Sequence, residues 1–255
     1  MGLLGMGRSS MGLPNMGLSS MGTVLAVDTS CDACSVALMK DGQVHAEFML
    51  APREHSQRLL PMIDALLQQQ GIKLSDLDAI AYGRGPGSFT GLRICLSVVQ
   101  GLAFAADLPV IPVSTLETLA LGAANTHKVA DGDYILAALD ARMEEVYWAL
   151  YRVEQGQIIP VSEERVSAPN DVLAAPVLSA IAAQQLIKVG AGCHYPAMTR
   201  IPARLEDHEL LPHAEFMLAR AQTAFAEGQT EAAENTQPVY LRDSVAWKKR
   251  QRIRT

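Results

Sequence analysis

An apolar run that closes on an aspartate occurs twice in this 255-residue chain, and the segments after it recur as well. The first copy is Val24–Asp28 (VLAVD) and the second spans 135–140 (ILAALD), ending on Asp140. Counting seven to ten residues past each aspartate lands on another apolar strand, Ser35-Val36-Ala37-Leu38 in one case and Tyr147-Trp148-Ala149-Leu150 in the other. A turn glycine comes next in both (Gly42, Gly156), and later an apolar strand ending in glycine, at 79–83 and 186–190. Matching offsets over four features mark an internal duplication. Two copies of a three-strand meander followed by helix, strand and helix imply an α/β chain of two lobes. The lobes are expected to face one another across a cleft, with each repeat's first hairpin pointing into it.

Local signals fill in this outline. Asp41-Gly42 is a two-residue hairpin turn. A helix is predicted over 54–70, where Leu59, Met62, Ile63 and Leu66 share one face. A strand at 78–82 runs into a glycine-rich loop at 83–91, and the stretch 92–106 is apolar nearly all round, which predicts a buried helix. Ser114-Thr115-Leu116-Glu117 reads as a capping box, opening a helix with Leu116, Leu119, Ala120 and Ala123 on one face. A last helix is predicted over 212–227, starting on a proline, stopping at Gly228 and packing between the lobes. The lobes then divide at 23–113 and 114–237, with a basic tail at 238–255. Residues 1–22 repeat Met-Gly every five positions and lack the basic start and continuous apolar stretch of a signal peptide. They read as a tag, a mis-called start or a tail.

Bulk properties exclude several classes. A net charge of -6 and a pI near 5.5 argue against a surface-wide nucleic-acid binder. No run of eighteen apolar residues occurs, so no membrane span is expected. Four scattered cysteines do not make a disulfide framework, and a cytoplasmic location is expected.

Five segments together are distinctive: VLAVDTSCDACSVAL, PREHSQRLLP, AYGRGPGSFTGLRI, LDARMEEVYWA and PVYLRDSVAWKK. They resemble the TsaB family, and the two-lobed plan resembles the duplicated ribonuclease-H-like fold of the actin, sugar-kinase and Hsp70-ATPase superfamily. The resemblance implies an accessory scaffold or regulatory subunit without catalysis of its own. Its partner would be TsaD, the catalytic paralogue, which works with the ATPase TsaE. Together they move threonylcarbamoyl from its adenylate to the adenosine beside the anticodon of tRNAs reading codons that begin with A. ATP or ADP and a metal are then expected on the partner subunits and no cofactor on this one, with tRNA met mainly through the complex. The resemblance also implies subunit contacts on the first-lobe helices, with TsaD or in a competing homodimer, at His55, Arg58, Ser97, Gly101 and Ala105.

The residues themselves bear on chemistry. TsaD's metal motif sets two histidines one helical turn apart; Thr115 and Leu119 stand at those places here, so no metal site is expected. The hairpins after Asp28 and after Asp140, which includes Arg142, carry no glycine and have extra acidic residues, so tight phosphate binding is not expected; only Gly190-Ala191-Gly192 keeps the look of an adenosine loop. Asp28 admits two readings, a cation ligand or a strand-end aspartate holding nearby amides. The loop with Gly85, Gly87, Ser88, Thr90, Gly91 and Arg93 is either an anion site at a helix start or a tight connection. Ser97, Gly101 and Ala105 either meet a partner helix or pack internally. His55 and Arg58 fall on the polar side of their helix, and the Cys31/Cys34 pair reads as incidental. In the tail, Arg242, Lys248, Lys249, Arg250, Arg252 and Arg254 face Asp243 alone, with Tyr240 and Trp247 interleaved, which suits RNA backbone, a partner protein or plain solvation. Competing functions are a sugar-kinase-type phosphotransferase or ATPase, which needs the missing glycines, and a peptidase, for which no zinc or serine constellation is present.

Overall fold

The computed structural model describes residues 22–242; the readings of 1–21 and of the tail beyond Arg242 lie outside these residues. The first repeat forms β1 (Val24–Asp28), β2 (Ala33–Lys40), β3 (Gln43–Leu50), α1 (His55–Gln69), β4 (Ala79–Gly85), α2 (Phe89–Ala106) and β5 (Val110–Ser114). Its five-stranded sheet has the order β3-β2-β1-β4-β5, with β1 antiparallel to β2 and parallel to β4. Central β1 is buried along its whole length, which explains why its sequence is apolar without alternation. Asp41 (φ 50°) and Gly42 (φ 75°) form a turn with two left-handed residues, the geometry that matches strand twist.

After α3 (Thr115–Thr126) the plan recurs as β6 (Tyr134–Arg142), β7 (Glu145–Glu154), β8 (Gln157–Pro160), β9 (Arg165–Ser167), α4 (Pro169–Leu173), α5 (Pro176–Ser179), β10 (Leu186–Val189), α6 (Pro196–Thr199) and β11 (Leu205–Asp207), closed by α7 (Ala214–Ala226). The second sheet has the order β11-β10-β6-β7-β8, and β9 adds to β7 beside β8. The duplicated architecture inferred from the aspartate offsets is therefore present in both sheets.

The closing helix of each repeat packs on the other repeat's sheet. Leu116, Leu119, Ala120 and Ala123 of α3 bury against Ile135, Ala137, Leu139 and Val189 of the second sheet. Ala214, Met217, Leu218 and Ala221 of α7 bury against Val24, Ala26, Ala37 and Ile111 of the first. Each large side chain so buried contributes roughly 1.5–3 kcal/mol. The two helices touch each other closely, because a Cβ on Gly122 of α3 would lie 2.6 Å from the Phe216 ring of α7. The late helix starts at Ala214 and not at Pro212, since the His213 ring accepts from the Glu215 amide and caps it. The capping box at Ser114 is half formed: Ser114 Oγ accepts from the Glu117 amide at 3.2 Å, while the Glu117 carboxylate turns to Arg220.

α2 departs most from expectation. It begins at Phe89, three residues early, because Ser88 Oγ accepts from the Gly91 amide and caps it. Only one face is buried, through Leu92, Cys95, Val99 and Ala103 against the first sheet and α1. Ser97, Gly101, Phe104 and Ala105 lie in the open, so the apolar character that predicted full burial belongs partly to an exposed face. By length and composition alone this helix is apolar enough to cross a membrane, but its inner face is committed to the sheet.

Candidate interaction site

The glycine-rich loop and the turn after β1 are built against each other. A Cβ on Gly83 would collide with the Asp28 carboxylate, one on Gly87 would sit 2.5 Å from the Ser30 carbonyl, and one on Gly91 would collide with the Thr29 carbonyl. Hydrogen bonds complete the seam: the Ser88 amide donates to Ser30 O at 2.7 Å, and Thr29 Oγ1 donates to Gly91 O at 2.8 Å. Gly87 and Gly91 therefore admit the chain's own backbone, and Gly83 the Asp28 side chain, where an anion-binding loop would admit phosphate. Of the two readings of this loop, the tight connection accounts for Gly87, Ser88 and Gly91. Thr90 is exposed beside them.

Asp28 lies under this seam. Its Oδ1 accepts from the Ser30 amide at 3.0 Å and from Ser30 Oγ at 2.8 Å, while Oδ2 is buried with no partner. Burial pushes its carboxyl up to about 6, against the pull of the Ser30 hydrogen bonds and the charge of His55. The thiols nearby are held protonated, Cys31 pushed up to about 12 and Cys34 to about 11, chiefly by burial and then by Asp28. A thiol so placed is neither a nucleophile nor a ready metal ligand at neutral pH.

The corresponding turn in the second lobe is exposed. Asp140 accepts from the Arg142 amide at 2.7 Å, from the Arg142 guanidinium at 3.1 Å and from Tyr195 OH at 3.0 Å. Arg142, Met143 and Glu144 all have positive φ (63°, 56°, 60°) with no glycine among them, a costly conformation that neighbours must hold. Part of that hold comes from Arg242, whose guanidinium reaches Glu145 and the Arg142 carbonyl.

Arg242 belongs to a strap, described over 236–242, for which the sequence carries no periodic signal. The Gln100 side chain of α2 donates to Thr236 Oγ1 at 2.7 Å, and the Val239 amide donates to Arg84 O at 2.7 Å. Gly85 (φ 104°) leaves room for the Val239 carbonyl, 2.9 Å from where its Cβ would be. Arg93 stacks over Phe89 at 3.8 Å and donates to Tyr240 OH at 3.2 Å, so it clasps the strap and does not line an anion pocket. An Arg84–Glu164 pair at 2.9 Å adds a second link between the lobes.

At the place of TsaD's histidines, Thr115 is buried with its hydroxyl unpartnered, and Leu119 is in the core beneath Gly190. Gly192 of the adenosine-like loop backs onto β6, where a Cβ would lie 2.8 Å from the Leu139 amide. Among the described residues no three His, Cys, Asp or Glu side chains converge as a metal set.

The first-lobe helices carry the remaining candidates. His55 is buried, its Nε2 3.2 Å from the Ala33 carbonyl, so it does not belong to the polar face or to a partner surface. Arg58 is exposed and paired with Glu54 at 2.7 Å. On α2, Ser97, Gly101 and Ala105 are exposed, and nothing lies within 4 Å of a Cβ placed on Gly101. Internal packing therefore does not explain these small residues. Beside them Phe104 is 84% exposed, and Leu60 of α1 is 49% exposed. Large exposed apolar side chains around a strip without bulk are what a docked helix needs.

A duplicated two-lobed chain with an occupied turn and an open helix face is the class defined so far, and it matches the family model of TsaD, tRNA N6-adenosine threonylcarbamoyltransferase, over residues 43–249. Within that class the chain belongs to the TsaB family. The tRNA threonylcarbamoyladenosine biosynthesis protein TsaB of Escherichia coli K12 is 47% identical over 233 residues, covering 89% of this chain and 97% of that protein. The Haemophilus influenzae protein of the same name is 40% identical over 236 residues, covering 89% and 96%. A crystal structure of a Pseudomonas aeruginosa protein, described as similar to peptidase YeaZ, has a TM-score of 0.81 and 45% identity over 87% of this chain and all of that one.

Proposed function

We propose that this chain is an accessory, non-catalytic subunit in tRNA threonylcarbamoyladenosine formation, docking on the catalytic TsaD-type transferase through the outer face of α2 with help from α1. The observation that carries this reading is the open strip at Ser97, Gly101 and Ala105, flanked by Phe104. The loops that would serve phosphate in a kinase are filled by Thr29 and Ser30, which supports a role exercised through surfaces. Nucleotide, metal and the TsaE ATPase act with the partner subunit, tRNA is met through the complex, and the setting is the cytoplasm. Reconstitution tests this. Threonylcarbamoyl transfer to tRNA is measured with the chain alone, with the TsaD-type subunit and TsaE, and with all together. No transfer by the chain alone and stimulation in the mixture are expected; transfer by the chain alone at the rate of the mixture would overturn the reading.

A further inference from the structure

Met143 and Glu144 form the two-residue turn between β6 and β7, where Arg142 pairs with Glu145. Both have positive φ (56° and 60°), the geometry that favours Asn-Gly. A glutamate is strained there, so the turn by itself does not account for it. Glu144 lines an open cavity of about 440 Å³ in the second lobe, a volume within the range of small-molecule sites. Asn170 of α4 and Arg200, which follows α6, line the same cavity, and Pro169 and Ala197 supply apolar lining. Tyr195 also lines it, but its hydroxyl is already bonded to Asp140, which in turn holds Arg142. Among the described residues the side chains of Glu144, Asn170 and Arg200 take part in no hydrogen bond or ion pair, and all three are exposed. Two of the walls are firmly held. Lys188 of β10 is fully buried; its ammonium donates to the carbonyls of Met198 at 2.9 Å and Ile201 at 2.7 Å and pairs with Glu206 at 2.9 Å, which pins α6 to the sheet. Arg242 holds the turn through Glu145 and the Arg142 carbonyl.

The unpaired groups select the ligand. We infer that this cavity binds a small zwitterion, a free α-amino acid or a short peptide, with its ammonium on Glu144 and its carboxylate on Arg200 and Asn170. A carboxylate and a guanidinium line one cavity without pairing with each other, so a molecule that carries both charges satisfies the two at once. A guanidinium takes a carboxylate with two parallel bonds, and the Asn170 amide can add a third. An anion alone leaves Glu144 unmatched, and a phosphate meets its negative charge; an amine alone leaves Arg200 unmatched. The apolar lining from Pro169 and Ala197 suits small aliphatic side chains. The site lies in the second lobe, apart from the outer face of α2.

The test uses the full chain and needs no partner subunit. Calorimetric titrations are run with L-alanine, with trialanine, and with trialanine blocked at one end, either N-acetylated or as its C-terminal amide. Binding of L-alanine or of trialanine is expected, and the tighter of the two tells a free amino acid from a peptide. For the peptide, blocking either end is expected to weaken binding about tenfold or more; for the amino acid, N-acetyl-alanine and alanine amide give the same comparison. Glu144→Gln is expected to erase the preference for a free amino end while binding the acetylated ligand as the wild type does, which also shows that the site is still folded. Arg200→Gln is expected to erase the preference for a free carboxylate and to keep the other. No binding of either free ligand at millimolar concentration would overturn the proposal. Blocked ligands that bind as tightly as free ones would do the same, as would preferences that survive both substitutions.

Discussion

In the first lobe the turn after the aspartate-ending strand is roofed by a glycine-rich loop and leaves Asp28 buried; in the second the matching turn stands in solvent with three left-handed residues and a well-bonded Asp140. The edges differ in the same sense. β3 runs for eight residues with an apolar row, whereas its counterpart β8 has four, ends on Pro160 and has β9 beside it. One strand plan has thus been finished in two ways. The first lobe is sealed inside and open at its outer surfaces, and the second is capped at its edge and braced by the strap. Duplication fixes the layers, and the residues at turns and edges decide which surfaces each copy leaves open.

The contrast breaks most visibly at the seam. Gly91→Ala forces a methyl group into the Thr29 carbonyl and is expected to cost about 3 kcal/mol, a Tm loss of roughly 6 to 12 °C for a chain this size. Thermal unfolding checks it, and an unchanged Tm would mean that the loop does not need its glycines for packing.

The next effect is a pH dependence. Asp28 keeps its proton in the folded chain until about pH 6, whereas the unfolded chain releases it near 3.8, so the folded state binds more protons between those values. Stability contributed by this group is therefore present at low pH and lost as pH rises through that window. Relative to Asp28→Asn, the wild type is expected to lose about 2 kcal/mol between pH 4 and pH 6.5, measured by denaturant unfolding at each pH. Equal slopes for the two proteins would remove the buried carboxyl from the comparison.

Much of this arrangement is legible in the amino-acid sequence. The repeated offsets after Asp28 and Asp140 point to both sheets, and Asp41-Gly42 marks the turn from which β3 starts. What escapes has physical causes. A helix apolar on all sides predicts burial, yet the same composition serves a helix with one face on a sheet and one free, and Gly101 is the residue that could tell them apart. His55 looks polar by helical position, but it is the first residue of α1 and tucks under the Ala33 carbonyl. The strap escapes because 236–242 has no periodicity; its contacts are the Val239 backbone and the single side chains Thr236, Tyr240 and Arg242, each bonded far away in sequence. The glycines of the loop are rightly singled out, but sequence alone does not say whether a glycine makes room for phosphate or for a carbonyl.

A smaller effect sharpens the second half of the comparison. Tyr240→Ala removes the ring from Phe89 and the acceptor from Arg93, and a loss of about 1 kcal/mol is expected by denaturant unfolding. No loss would mean that the strap does not brace the lobes. The smallest effect has the opposite sign. Gly101→Ala meets open space in mid-helix and is expected to stabilise by about 0.5–1 kcal/mol, which distinguishes it from Gly91 on the same helix.

The most direct test is equilibrium binding of the TsaD-type transferase to the wild-type chain and to Gly101→Arg. The substituted side chain projects into solvent in the free subunit, so the fold is retained. A loss of affinity of about a hundredfold or more, with an unchanged Tm, is the result predicted. Binding as tight as that of the wild type would show that the open face of α2 is not where this protein meets its partner.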